Sequence, residues 1–156
     1  MSKANPDPKS IPPVLTGVAG EYFVAAELSR RGLIASISLR NTRGIDILAT
    51  NKDATRSVTI QCKTNQIGNQ KWMLSEKSET FFAPNHYYVF VGLGAPTERP
   101  RFHIVPSKTV AKIVKNDHQT WLRTPGKKGQ KHVDSPMRRF SDQNDEYLDK
   151  WNLLGL

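Results

Sequence analysis

The stretch Asn41–Asn65, NTRGIDILATNKDATRSVTIQCKTN, decides the fold. Residues 45–50 and 57–63 are short apolar, β-branched runs on either side of the polar turn Asn51–Arg56, the pattern of two neighbouring antiparallel strands. Side chains alternate along a strand. Ile45, Ile47 and Ala49 therefore share one face and Asp46 and Leu48 the other, while Val58, Ile60 and Cys62 oppose Thr59, Gln61 and Lys63. With both apolar faces on the same side, a six-residue loop puts Asp46 directly opposite Gln61. Directly opposed Cβ atoms lie about 4.5–5.5 Å apart, close enough to share one metal ion. Asp46, Gln61 and Lys63 are thus expected at one point.

Upstream, residues 15–32 (LTGVAGEYFVAAELSRRG) read as a helix with Thr16 as its cap and Gly32 ending it at C′. Apolar residues occur nearly all round it, so it is expected to be mostly buried. Glu21 shares a stripe with Gly17, Val24, Ala25 and Leu28 and is expected to face protein; Glu27 lies off that stripe and is expected in solvent.

Residues 33–39 read as a strand with Ala35, Ile37 and Leu39 on one face. Residues 72–81 are ambiguous, with Ser75 placed to cap a short helix. The near-continuous apolar run 86–93 (HYYVFVGL) predicts a strand buried on both faces, and 101–105 a further strand. Pro106 and Ser107 open a helix that buries Val110, Ile113 and Val114. His86, His103, His118 and His132 show no metal-ligand spacing, and Trp72, in a polar stretch, is a candidate for touching DNA. Tyr147, Trp151 and Leu154 fall at i, i+4, i+7, which predicts a docked C-terminal helix. The expected organisation is a Pro-rich arm (1–14), a core (15–122), a basic loop (123–140) and a C-terminal helix on the core (141–156).

The length of 156 residues suits one domain, and 23 Lys and Arg against 14 Asp and Glu give a formal charge of +9, which favours a polyanionic partner. The stretch 123–139 contributes six cations against the single acid Asp134. Lys127, Lys128, Lys131, Arg138 and Arg139, with Arg43 in the hairpin, are the candidate phosphate contacts; they would position DNA without reading its sequence. The single cysteine, Cys62, excludes an intramolecular disulfide. No run approaches the roughly 20 apolar residues of a membrane span, and the first residues lack a signal-peptide core. The expected setting is a cytoplasmic, membrane-free one.

Two acids, an amide and a lysine around one spot suit a divalent-metal site that cleaves phosphodiesters. A hard cation clamps the phosphate and lowers the pKa of a bound water, while a lysine orients that water or neutralises the phosphate. Asp46 is the expected primary ligand, with Gln61 Oε1, the Cys62 backbone carbonyl and Glu21 as further ligands and Lys63 as the catalytic cation. An acid within an apolar strand calls for a compensating partner, and this weighs against Asp46 merely capping a turn.

Gly17-Val18-Ala19-Gly20-Glu21 on the helix, Asp46 on the next motif strand and Gln61-Cys62-Lys63 on the strand after it resemble the PD-(D/E)XK nuclease superfamily, in particular its Holliday-junction-resolvase-like and Mrr-type restriction endonuclease members. The resemblance covers about residues 15–65; the order of elements over 86–122 extends it. It implies a single-domain α/β fold with a restriction-endonuclease-like αβββαβ core, a central mixed sheet flanked by helices, Mg²⁺ dependence with Mn²⁺ as a substitute, and DNA as substrate. Ile45 stands where the pattern has proline, and Gln61 where it has a second acid. That amide is a weaker Mg²⁺ ligand, and it supports an alternative: a nuclease-fold DNA-binding protein whose catalysis has lapsed. Cutting both strands of a duplex requires two sites, which makes a homodimer a natural expectation.

Overall fold

A computed structural model describes residues 11–39 and 43–156. Most of the Pro-rich arm and residues 40–42 lie outside the described residues. The elements are α1 (Pro13–Arg30), β1 (Ile34–Ile37), β2 (Ile47–Thr50), β3 (Ser57–Asn65), β4 (Lys71–Ser75), β5 (His86–Gly92), β6 (Arg101–Pro106), α2 (Ser107–Arg123) and β7 (Met137–Ser141), with single 3-10 turns at Glu76–Glu79 and Trp151–Leu154.

The fold is α/β. β1, β2 and β3 form an antiparallel meander, β3 pairs parallel with β5, and β5 pairs antiparallel with β6, giving one mixed sheet in the order β1-β2-β3-β5-β6. The parallel step needs a crossover. Here β4 and the turn Glu76–Glu79 make it, in place of a full α-helix. β4 pairs with β7 in a second, two-stranded sheet.

Alternation along β5 divides the core. Val89 and Val91 join Val24, Leu28, Ile47, Ile60, Phe102 and Trp151 on the α1 side. Tyr88 and Phe90 join Trp72, Val110, Val114 and Phe140 on the α2 side. Phe90 and Phe140 stack at 4.1 Å with 6° between their planes.

Several expectations are corrected by these contacts. α1 begins at Pro13, a residue suited to the first helical position because the amide hydrogen it lacks would have no helical partner. Thr16 is therefore inside the first turn, its hydroxyl donating to the Pro12 carbonyl. α1 ends as read: Gly32 takes φ +77°, and Leu33 N–H returns to the Leu28 carbonyl. The helix is not buried all round, for Leu15, Tyr22 and Phe23 remain exposed. Glu27, expected in solvent, is buried and paired with Arg30, Arg31 and Arg99. Burial alone would raise its carboxyl, but hydrogen bonds and charge from Arg31 and Arg99 hold it below its ordinary value.

β1 is an edge strand. Ala35 packs on the core, while Ile37 and Leu39 are exposed. Trp72, a candidate for DNA contact, is buried and donates its indole N–H to the Val91 carbonyl at 2.9 Å. The segment 123–140 is not all loop, since β7 occupies its end. Residues 141–156 form no α-helix. Asp142 accepts the N–H groups of Glu146 and Tyr147, Asp145 and Asp149 take positive φ, and only the 3-10 turn Trp151–Leu154 is helical. Trp151 and Leu154 nevertheless reach the core, as their apolar character requires.

Candidate functional site

The hairpin turn is organised by Asn51, whose side-chain oxygen accepts the N–H groups of Thr55 and Arg56. This local closure sets the β2–β3 register, and the ladder runs from Thr50↔Ser57 to Ile47↔Ile60. It does not continue regularly to an Asp46–Gln61 pair. Asp46 N–H still donates to the Ile60 carbonyl (2.8 Å), and the Asp46 carboxylate Oδ2 accepts from Cys62 N–H at 2.7 Å. The carboxylate thus takes the place that a backbone carbonyl would hold in the next rung. In a strand, the N–H and C=O of one residue point to the same side. The Cys62 carbonyl is therefore directed toward the Asp46 side of β3.

Burial pushes the Asp46 carboxyl above its ordinary value, while the Cys62 N–H and the charge of Lys63 pull it down. Burial also drives the Cys62 thiol up, and Asp46 and Glu21 add to this while Lys63 opposes it. One position on β3 thus lies within electrostatic reach of Asp46, Glu21 and Lys63. Glu21 approaches it from α1, whose contact with β3 is made close by Gly20: a Cβ there would lie 1.8 Å from Thr64 Oγ1.

Gln61 and Lys63 point to the other face of β3, as alternation predicts, and line an open cleft of about 440 Å³ with Tyr88, Phe81, Arg43 and Lys77. Asp46 is not among the residues that line this cleft; it is held at the Cys62 N–H and acts electrostatically on Lys63 and Tyr88, which do line it, while Glu21 acts on Cys62. Tyr88, opposite Gln61 in the β3–β5 register, is the member that sequence reasoning assigned only to the core. Burial first, then Asp46, pushes its hydroxyl up to about 12. Its role depends on the parallel β3–β5 pairing, which no local pattern announces. Phe81 and Lys77 were hidden in the ambiguous stretch 72–81.

The candidate DNA contacts divide. Arg43, Lys127, Lys128 and Lys131 are exposed. Arg139 is exposed but paired with Asp117 at 3.0 Å. Arg138 is buried, pairs with Glu79 and donates to the Ser135 and Met137 carbonyls. It ties β7 to the turn after β4 and is not placed to meet phosphate.

The ligands expected from the sequence, the Asp46 and Glu21 carboxylates, the Gln61 amide oxygen and the Cys62 carbonyl, are all oxygen donors. Oxygen ligands of this kind fit Mg²⁺ or Mn²⁺. A carboxyl already disfavoured as an anion by burial is one that a neighbouring cation relieves. Among the described residues no group of three His, Cys, Asp or Glu is gathered for a metal. Among the described residues no helix is long and apolar enough to cross a membrane.

No family model matches the chain, and no curated protein matches it. Among solved structures, it is similar to Hjc of Archaeoglobus fulgidus, a Holliday junction resolvase from an archaeal hyperthermophile. The identity is 12%, the TM-score 0.45, and the match covers 81% of this chain and 84% of that one. The functional reading therefore rests on the residues themselves.

Proposed function

We propose that this protein is a divalent-metal-dependent endonuclease that hydrolyses DNA phosphodiester bonds. The reading is supported above all by one juxtaposition: a carboxylate, Asp46, anchored by the Cys62 N–H and within the field of Lys63, beside an open cleft on a chain of charge +9. The resemblance of the Glu21, Asp46 and Gln61-Cys62-Lys63 pattern to the PD-(D/E)XK nucleases points the same way.

In this reading Asp46, Gln61 Oε1, the Cys62 carbonyl and Glu21 would hold Mg²⁺, which when bound would supply charge stabilisation at the phosphate and a more acidic water. Asp46 is fixed by its bond to Cys62 N–H, so its orientation is set before substrate arrives. Lys63 projects into the cleft, where its ammonium meets the scissile phosphate and offsets the charge that builds on it. Lys127, Lys128, Lys131 and Arg43 hold the strand by its phosphates.

The test is cleavage of supercoiled plasmid and of a branched junction with Mg²⁺, Mn²⁺ or EDTA by the wild-type protein and Lys63→Ala. Metal-dependent cutting by wild type alone, with binding kept in the variant, is the expected result. Equal cutting by Lys63→Ala removes that residue from the chemistry.

The amide at Gln61, where the resembled pattern has a second acid, favours a second reading, a DNA-binding protein of nuclease fold whose catalysis has lapsed. It predicts salt-sensitive binding, no cutting in either metal, and cutting gained in Gln61→Glu.

A further inference from the structure

Phe81 is 41% exposed, yet it is not loose. Its ring stands edge-on to His86, with centroids 5.1 Å apart and planes 75° apart. It also lies against Gly44, where an added Cβ would come within 2.9 Å of Phe81 Cε1. Gly44 takes φ +61°, so glycine serves that position both for its backbone and for the ring's approach. His86 is in turn held by a 2.7 Å hydrogen bond between its Nδ1 and Thr59 Oγ1. The result is an aromatic ring fixed by its surroundings and lining the cleft.

The cleft is chemically one-sided. Arg43, Lys63 and Lys77 line it, and among the described residues that line it none is acidic. Gln61 offers an amide donor and acceptor, and Tyr88 forms part of the wall. At about 440 Å³ it falls in the range of sites that enclose a small ligand. Cations, a held aromatic ring and an amide in one recess are what a nucleotide presents partners for: phosphate, base face and base edge.

We infer that this cleft takes one unpaired nucleotide of a DNA strand, its base stacked on Phe81, its phosphate met by Arg43 and Lys77, and its edge met by the Gln61 amide nitrogen. A base inside a duplex has both faces covered by its neighbours and cannot stack on a protein ring without leaving the helix. The preferred substrate class is therefore DNA with single-stranded or splayed nucleotides next to the cut, not uninterrupted duplex. The inference rests on the nuclease reading for what happens at the phosphate, but the binding preference stands or falls separately.

The experiment compares two fluorescein-labelled DNAs of one sequence in EDTA, a full duplex and the same duplex with a three-nucleotide gap bearing 2-aminopurine. Binding is read by anisotropy and stacking by 2-aminopurine quenching. Wild type is expected to bind the gapped DNA about tenfold more tightly than the duplex, the scale of one aromatic–base stack, and to quench the probe. In Phe81→Leu, which keeps an apolar side chain against Gly44, the ratio falls to about one and quenching is lost. Phe81→Tyr keeps both and separates stacking from misfolding. Equal affinity of wild type for the two DNAs, or a ratio untouched by Phe81→Leu, overturns the inference. Adding Mg²⁺ separates it from the nuclease reading. Cutting of duplex and gapped DNA alike with no binding preference sinks this inference alone. A Phe81-dependent preference without cutting upholds it and sinks the nuclease reading.

Discussion

Gly20→Ala sets two physical effects against each other. Intrinsic helix propensity favours alanine over glycine by about 1 kcal/mol within a helix. Packing opposes it: the new Cβ would lie 1.8 Å from Thr64 Oγ1, 2.9 Å from Thr64 Cβ and 3.0 Å from Thr64 Cγ2. Turning the Thr64 side chain can move the hydroxyl away, but no rotation clears the Cβ, so α1 must lift from β3. Overpacking of this kind costs typically about 1–3 kcal/mol, and the upper end applies where backbone has to move. The expected net loss is about 2 kcal/mol, which at a urea m-value of roughly 2 kcal/mol/M lowers the midpoint by about 1 M. Thr64→Ala removes the obstructing groups, so the double variant Gly20→Ala/Thr64→Ala is expected to show a favourable coupling of about 1 kcal/mol or more. Glu21 travels with α1, so Gly20→Ala should also weaken any divalent-ion response. Urea unfolding followed by circular dichroism reads the stability. A Gly20→Ala protein as stable as wild type, or more so, would mean that propensity wins and that α1 is not held as closely on β3 as described.

Glu27→Gln should lower stability at pH 7 by about 1–2 kcal/mol, because its three arginine partners are each partly solvated and therefore individually weak. The Glu27 carboxyl is held below its ordinary value of 4.5, so its stabilisation is present above about pH 4.5 and disappears as pH falls through the folded value. The difference between variant and wild type should accordingly shrink in acid, and a difference constant down to pH 3 would contradict the ion-pair account. Arg138→Ala should cost about 3 kcal/mol, because it removes a buried guanidinium that bonds the half-buried Glu79 carboxylate and two backbone carbonyls, measured by thermal melting. Lys127→Ala/Lys128→Ala should leave the melting temperature unchanged and reduce the slope of log affinity against log salt by about 2, one phosphate each. Asp46→Asn should fold normally, since the amide oxygen still accepts the Cys62 N–H; a collapsed melting temperature would show that the charge itself is structural.

The sequence exposed what is local. Alternation in 45–50 and 57–63 assigned the faces of β2 and β3, and the apolar run 86–93 announced a strand covered on both sides. It also located the C′ glycine of α1, Gly32, because a left-handed φ there follows from one residue's lack of a Cβ. What escaped it depends on distant partners. Glu27 is off the apolar stripe, and its burial is explained in part by Arg99, 72 residues on, which joins Arg30 and Arg31 around it. β4 is ambiguous until β7 is brought beside it, and with it Trp72 turns from a surface candidate into core. Tyr147, Trp151 and Leu154 have helical spacing, but Asp142 captures the following amides and turns the chain instead. At the site, the shared face of Gln61 and Lys63 was legible from the strand period. The bond from Cys62 N–H to Asp46, which interrupts the ladder, was not, because it replaces a backbone acceptor with a side chain.

Asp46 stands at the centre of the proposed metal-dependent phosphodiester-cleaving site. The most direct measurement is nicking of supercoiled DNA by purified wild type and Asp46→Asn side by side, each verified as folded, in Mg²⁺ and in EDTA. The account predicts Mg²⁺-dependent nicking by wild type and a loss of at least about a hundredfold in Asp46→Asn, with DNA affinity in EDTA retained. Equal nicking by both proteins would contradict it.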